Sequence, residues 1–370
     1  TTTLTATVKD ASDSTIASST VMWSSSNTGI VTVSSAGLLT SVADGSVTVT
    51  ATSGSVDGTA EVTVKETPAG SVNAGYGFTC EVTTAGEAYC WGRNNRGQLG
   101  DGTTTERHEP VLVSGGHAWA SVNSGQGLSC GVTTAGAAYC WGYNSRGQLG
   151  DGTTTDRLEP TLVSGGHTWA SVNAGYDHTC GMTTANAAYC WGSGNVGMLG
   201  NGVTTDSNVP VLVSDGHTWA SVSAGLDSSC GVTTAGTAYC WGYNQQGQLG
   251  DDTGTNSSVP VLVSGGHTWA SVNLKGSFVC GVTTTGKAYC WGDNRQGELG
   301  DSTTTQRNIP MLVSGGHTWA SVSGGGAHSC GVTTASEAYC WGSNNRGGLG
   351  DGTTTQRNIP MLVSGGHTWA

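Results

Sequence analysis

The sequence predicts an all-β chain, a small N-terminal β-sandwich followed by a β-propeller of six four-stranded repeats. Three observations carry this. Blocks of fifty residues open at Ser71, Ser121, Ser171, Ser221, Ser271 and Ser321 with no insertion, and a fixed period of that size marks a repeat architecture. Gly supplies 61 of 370 residues, alongside abundant Ser, Thr and Val, all poor helix formers. Short runs alternate Val, Ala or Tyr with small polar residues, a pattern suited to strands joined by tight turns.

Residues 1–66 come first. They hold no Cys, no His and one Trp. Thr3-Leu4-Thr5-Ala6-Thr7-Val8, Val21-Met22-Trp23, Ile30-Val31-Thr32-Val33, Val47-Thr48-Val49-Thr50-Ala51 and Ala60-Glu61-Val62-Thr63-Val64 alternate, separated by Asp, Ser and Gly clusters. Regular short strands of this kind predict an antiparallel sandwich. Residues 67–70 read as a linker and residues 71–370 as the repeats. In the fourth repeat the expected strands are residues 218–224, 229–233, 238–242 and 259–263. Four short strands per fifty residues is the arithmetic of a propeller blade.

All twelve cysteines lie in the repeats, as Cys80 and Cys90, Cys130 and Cys140, Cys180 and Cys190, Cys230 and Cys240, Cys280 and Cys290, and Cys330 and Cys340. None falls in a Cys-x-x-Cys pattern, so zinc-ribbon, thioredoxin-like and c-type haem readings fall away. Thr84-Ala85-Gly86 fits a three-residue hairpin loop whose last member takes the left-handed region. Gly136, Asn186, Gly236 and Gly286 suit that position, and Ser336 suits it least. Centring the loop on Ala85 sets Cys80 opposite Cys90 in a non-hydrogen-bonded pair, with Cα atoms roughly 4.5 Å apart. Six disulfides are expected, each worth somewhat under ~3 kcal/mol by chain entropy; the alternative is buried pairs of free thiols. Disulfides place the protein in an oxidising compartment, secreted or on a cell surface.

The formal charge is −12 with 10% charged residues, which argues against nucleic acid and anionic membranes. No apolar run approaches the roughly 18 residues that span a bilayer. The chain starts Thr1-Thr2-Thr3 without Met and reads as processed or partial.

Two family resemblances follow from particular residues. Val21-Met22-Trp23-Ser24-Ser25-Ser26-Asn27, Val31-Thr32-Val33, Gly37-Leu38-Leu39-Thr40 and residues 45–51 resemble the group 2 bacterial Ig-like domains. The resemblance implies one further strand before the Leu4 run, missing here or lying before Thr1, and a sheet edge free to pair with another chain. Ala-Tyr-Cys-Trp-Gly-x-Asn-x-x-Gly-Gln-Leu-Gly, standing as Tyr139-Cys140-Trp141-Gly142-Tyr143-Asn144 with Gly147-Gln148-Leu149-Gly150, resembles the regulator-of-chromosome-condensation repeats. That family commonly has seven blades, against six repeats here. The tail Gly365-Gly366-His367-Thr368-Trp369-Ala370 supplies what the first repeat lacks on its N-terminal side, so it is expected to complete the first blade. The best-known member of the family promotes nucleotide exchange on a small nuclear GTPase; paired cysteines and an acidic chain argue against carrying that over.

Other candidates read as structural. His117, His167, His217, His267, His317 and His367 are expected to pack on the neighbouring Trp and bond a turn, rather than form a metal crown. The columns from Trp91 to Trp341 and from Trp119 to Trp369 are expected between blades. Asp101, Asp151, Asp251, Asp301 and Asp351 are expected to cap their own turns; calcium is the alternative. No nucleophile elbow, zincin motif, Walker loop or dinucleotide fingerprint occurs. No enzyme, cofactor or metal site is therefore expected.

The expected function is that of a non-enzymatic extracellular structural or surface protein, a subunit of a fibre or a cell-surface adhesin. Its partners are other copies of itself, another surface protein or a glycan. The alternative is a secreted propeller module recognising a protein or carbohydrate partner. Loops that differ between blades on one face separate the two readings. The strongest such variation is modest, at Arg93-Asn94-Asn95-Arg96, Tyr143-Asn144-Ser145-Arg146, Tyr243-Asn244-Gln245-Gln246 and Asp293-Asn294-Arg295-Gln296, which slightly favours the assembly version.

Overall fold

The computed structural model describes residues 2–3, 6–9, 15–16, 20–41, 45–64, 72–274 and 276–369. The chain divides into two compact units, Thr1–Gly70 and Ser71–Ala370.

The first unit contains two three-stranded antiparallel sheets. Thr2–Thr3, Leu38–Ser41 and Val31–Val33 form one; Met22–Ser25, Gly45–Ser53 and Val56–Val64 form the other. A buried cluster draws Val31 and Leu39 from the first sheet and Val47 and Val49 from the second, with Trp23, Val33 and Val62 packed against it. The expected strand over residues 3–8 differs: Ala6, Thr7 and Val8 are not in a strand. There the Val8 carbonyl accepts a bond from the Ile16 N–H at 2.9 Å, and Lys9 bridges Thr15. Leu4 and Thr5 lie outside the described residues, as does the further strand expected before them.

The second unit is a run of six four-stranded antiparallel sheets, each built from consecutive strands. The fourth blade consists of Trp219–Ala224, Ser228–Thr233, Ala238–Gly242 and Ser257–Leu262. In each blade the middle hairpin closes as its residues dictate. Thr83 N–H bonds Glu87 O at 2.8 Å and Gly86 N–H bonds Thr83 O at 2.9 Å. Gly86 has φ 79°, and Asn186 and Ser336 hold the same left-handed position at 62° and 61°. Cys80 faces Cys90 across this hairpin, and each cysteine pair is bridged with Cα atoms 4.0–4.1 Å apart.

One contact recurs at each of the five inner junctions between blades. The indole Nε1 of Trp141, Trp191, Trp241, Trp291 and Trp341 donates to the main-chain carbonyl of Gln98, Gln148, Met198, Gln248 and Glu298 in the preceding blade, at 2.7–3.0 Å. Because the acceptor is backbone, the side chain at that position is free to change from Gln to Met or Glu. Each indole lies over a glycine: a Cβ on Gly250 would sit 2.7 Å from Trp291 Nε1. All five tryptophans are fully buried.

Among the described residues the first and last blades show this contact on one side only. Trp91 is only half-buried. Trp369 N–H bonds Ser336 O of the last blade at 2.9 Å, as Trp119 N–H bonds Gly86 O at 2.8 Å. Trp369 lies in no strand among the described residues and is 39% exposed, against 1–3% for Trp119, Trp169, Trp219, Trp269 and Trp319. The expected completion of the first blade by the tail is thus not what the described residues show. Trp369 bonds the hairpin of the last blade as Trp119 bonds that of the first, but Trp119 goes on to open the second blade's first strand.

Candidate functional site

The repeated polar residues are occupied with holding the blades together. Asp101 Oδ1 accepts from Thr103 N at 3.0 Å, Thr103 Oγ1 at 2.8 Å and Asn94 Nδ2 at 3.1 Å. Its Oδ2 accepts from both Arg107 Nε and Nη2, at 2.9 and 2.7 Å. Burial works to raise this carboxyl, but the bonds from Thr103 and Arg107 hold it below the ordinary carboxylate range. Asp151 and Asp301 are held down in the same way, and Asp351 is lowered to about 2, first by Thr353. With five N–H and O–H donors converging on Asp101, its oxygens serve the turn rather than a calcium ion.

The Asn partner of this cluster was not singled out by sequence reasoning. Asn94 Oδ1 accepts the Leu99 N–H at 3.0 Å, while its Nδ2 reaches Thr103 O and Thr105 O at 3.1 and 3.0 Å. One amide thus stitches the whole loop between the third and fourth strands. The signal is covariation within the repeats. The third blade carries Gly194, Asn201 and Ser207 at the Asn, Asp and Arg positions, and there the Thr205 carbonyl closes onto the bare Gly194 Cα.

The periodic histidines pack as rings. The His117 centroid lies 4.1 Å from Tyr139 and 5.3 Å from Trp119. The pattern recurs at His167, His217, His267 and His317. The expected bond from the ring to a turn is not made among the described residues; the Nε2 of His117 instead lies over Gly115. No group of three or more His, Cys, Asp or Glu side chains converges for a metal ion among the described residues.

His178, which carried no motif, sits fully buried at the junction of the third and fourth blades. Its Nε2 lies 2.8 Å from Ser229 Oγ. That hydroxyl donates to Met198 O at 3.0 Å, so Nε2 carries the proton and Nδ1 is left unprotonated. Nδ1 has no partner, and burial pushes the imidazole pKa down to about 4.

Two adjacent loops are among the segments that vary, as is the segment entering the fourth strand, Glu106-Arg107-His108-Glu109 against Asp206-Ser207-Asn208-Val209. The turn between first and second strands carries Tyr76, Gln126, Tyr176, Leu226, Gly276 and Gly326 in successive blades. The segment after the third strand carries Arg93, Tyr143, Ser193, Tyr243, Asp293 and Ser343. The two are adjacent, because Arg93 N–H bonds Gly77 O and Tyr143 N–H bonds Gly127 O, both at 2.9 Å. Bonds from Tyr76 N–H to Gly125 O, Gln126 N–H to Gly175 O and Tyr176 N–H to Gly225 O, at 3.0–3.2 Å, tie the first three of these turns to the next blade. A rigid ladder of backbone bonds therefore displays side chains that differ from blade to blade.

These geometries define a disulfide-bonded β-propeller built from one repeated blade. The chain belongs to the family of regulator of chromosome condensation (RCC1) repeats, which matches residues 85–132, 135–182, 186–232, 235–276, 285–332 and 336–368. A second description of the same repeat matches residues 71–98 and four later segments. The bacterial Ig-like domain of group 2 matches residues 1–64. No curated protein sequence matches the chain. Among solved structures, human WBSCR16 is similar at TM-score 0.73 and 21% identity, covering 82% of this chain and 84% of that one. Yeast RCC1 (Prp20), in its complex with Kap60, is similar at TM-score 0.70 and 19% identity, covering 80% and 75%. The Physcomitrella patens receptor kinase CR4 ectodomain reaches TM-score 0.51 at 21% identity, covering 74% and 64%. At these identities the likeness is one of fold.

Proposed function

We propose that this chain is a non-enzymatic, secreted or cell-surface protein that works as an adhesin, holding its partner on the propeller's variable loops. The observation that carries this reading is the division of labour among its residues. The repeated Asn, Asp, Arg, His and Trp side chains are consumed inside the blades, while the loops carrying Tyr76, Arg93, Tyr143 and Tyr176 differ from blade to blade and face outward. Such a surface suits recognition of one partner rather than repeated self-contact. Six disulfides belong in an oxidising compartment, and the match to a bacterial Ig-like domain agrees with it. Among the described residues no helix is long and apolar enough to cross a membrane. We read the two sheets of the first unit as an Ig-like sandwich, with residues 67–70 as its linker to the propeller. The likeness to Prp20, whose structure is described with its binding to Gsp1p and histones, supports a propeller that works by protein contact.

Antibody labelling of intact producing cells and of their medium tests this. Signal is expected without permeabilisation; signal only after permeabilisation contradicts it.

The half-buried Trp91 favours a second reading, a fibre subunit. The half-buried Trp91 face is of the kind that the preceding blade covers at the five inner junctions. Heterologous contacts that do not close produce filaments. Light scattering with negative-stain microscopy separates the two, since a strict monomer at high concentration is incompatible with the fibre.

A further inference from the structure

On the variable face, loops of the first three blades enclose an open cleft of about 310 Å³. Its composition departs from the rest of the molecule. Six of the ten tyrosines are the repeat's own, Tyr89 and its five equivalents. Of the four others, Tyr76, Tyr143 and Tyr176 line this cleft. The matching turns of the fifth and sixth blades carry Gly276 and Gly326. The aromatic surface is thus concentrated on one arc of the face.

The cleft also holds a free guanidinium. Seven of the nine arginines are ion-paired, Arg96 among them, bridged to Asp156 at 3.3 Å and stacked 4.8 Å over Tyr143. Arg93, which lines the cleft beside Arg96, makes no ion pair among the described residues and is exposed. The side chains of Gln126 and Asp177 line the same cleft and make no hydrogen bond among the described residues. Three tyrosines, one unpaired fork, and an amide and a carboxylate without a hydrogen bond among the described residues therefore line a single hollow.

We propose that this cleft binds a carboxylated sugar, a uronic-acid residue within an otherwise neutral oligosaccharide. The Arg93 fork takes the carboxylate in a bidentate pair. Tyrosine faces cover the apolar C–H face of the pyranose ring. Gln126 and Asp177 bond its hydroxyls, Asp177 as acceptor only. The volume is at the small end for ligand clefts, which suits a disaccharide. No cleft residue lies in a strand, so the walls offer no sheet edge for an extended peptide to pair with. The chain's charge of −12 repels a polyanion and leaves room for one carboxylate at a time.

This inference rests on the adhesin reading and names its ligand. Isothermal titration of the full chain with glucuronate- and galacturonate-ended disaccharides, with cellobiose and with a glutamate-containing tripeptide tests it. A uronate disaccharide is expected to bind, and cellobiose to bind about tenfold more weakly or worse. R93Q is expected to lose the same factor, and Y176A to weaken both sugars, each with an unchanged melting temperature. No uronate binding, equal affinity for cellobiose, or an R93Q variant that binds as tightly as the parent overturns the proposal. Binding of the peptide alone also overturns it but leaves the adhesin reading standing, whereas absence from the cell surface removes that reading separately.

Discussion

The junctions between blades and the loops of the variable face come from the same fifty-residue unit, yet they have diverged very differently. At five junctions an indole donates to a backbone carbonyl across a bare glycine, with geometry that scarcely changes. On the face, one turn position runs from Tyr through Gln and Leu to Gly. The lesson is that the sameness of the junctions reports packing, where a lost methylene is felt, and difference at exposed loop positions reports freedom from it, although the buried column of Phe78, Leu128, His178, Ser228 and Phe278 also varies. Function is to be sought where the copies disagree.

Substitutions can break or sharpen this contrast. The largest effect is expected at a junction: W241A removes a fully buried indole and its 2.9 Å bond to Met198 O. It should cost about 3–5 kcal/mol in denaturant unfolding. A cost below about 1 kcal/mol would mean that the junctions do not carry the fold.

Next is the pH dependence of His178. Its folded pKa of about 4 lies below the ordinary 6.5, so the unfolded chain takes up a proton first as pH falls. Its contribution is complete above pH 6.5 and is lost as pH falls towards 4, up to about 3 kcal/mol in all. Melting temperatures from pH 7 to pH 4 should show that loss, and a H178F variant, which places here the residue found at Phe78 and Phe278, should flatten the profile. An unchanged slope in H178F assigns the effect elsewhere.

Smaller again is G250A. Its Cβ would sit 2.7 Å from Trp291 Nε1 at φ +68°, for an expected loss of about 1–3 kcal/mol. The smallest effect belongs to the face: Y176A should change stability by no more than about 0.5 kcal/mol. A large loss there would erase the distinction between scaffold and display.

Much of the scaffold was legible in the sequence because its signals are local and repeated six times. The loop Thr84-Ala85-Gly86 is enough to set Cys80 against Cys90, and the fourth blade's strands fall within two residues of expectation at each end. Part of what was not legible depends on contacts between neighbouring blades. The Trp Nε1 acceptor is a backbone atom of the previous blade, which no side-chain pattern reveals. The Asn94 stitch was visible as covariation with Asp101 and Arg107 in the third blade, yet it looks like an ordinary loop residue when read alone. The cleft needed Tyr76, Tyr143 and Tyr176, which lie in three different repeats, to be brought onto one arc; their departure from the period was the available clue. Sequence reasoning also missed His178, because a single histidine in a small-residue strand carries no pattern.

The whole reading rests on the six staples, since they brace the scaffold and support the proposed compartment. Mass spectrometry after alkylation of the denatured protein, recovered from its producing cells, tests them directly. Without reductant no cysteine should be alkylated, and after reduction all twelve should be. Twelve alkylated cysteines without reductant would contradict the staples and, with them, the extracellular assignment.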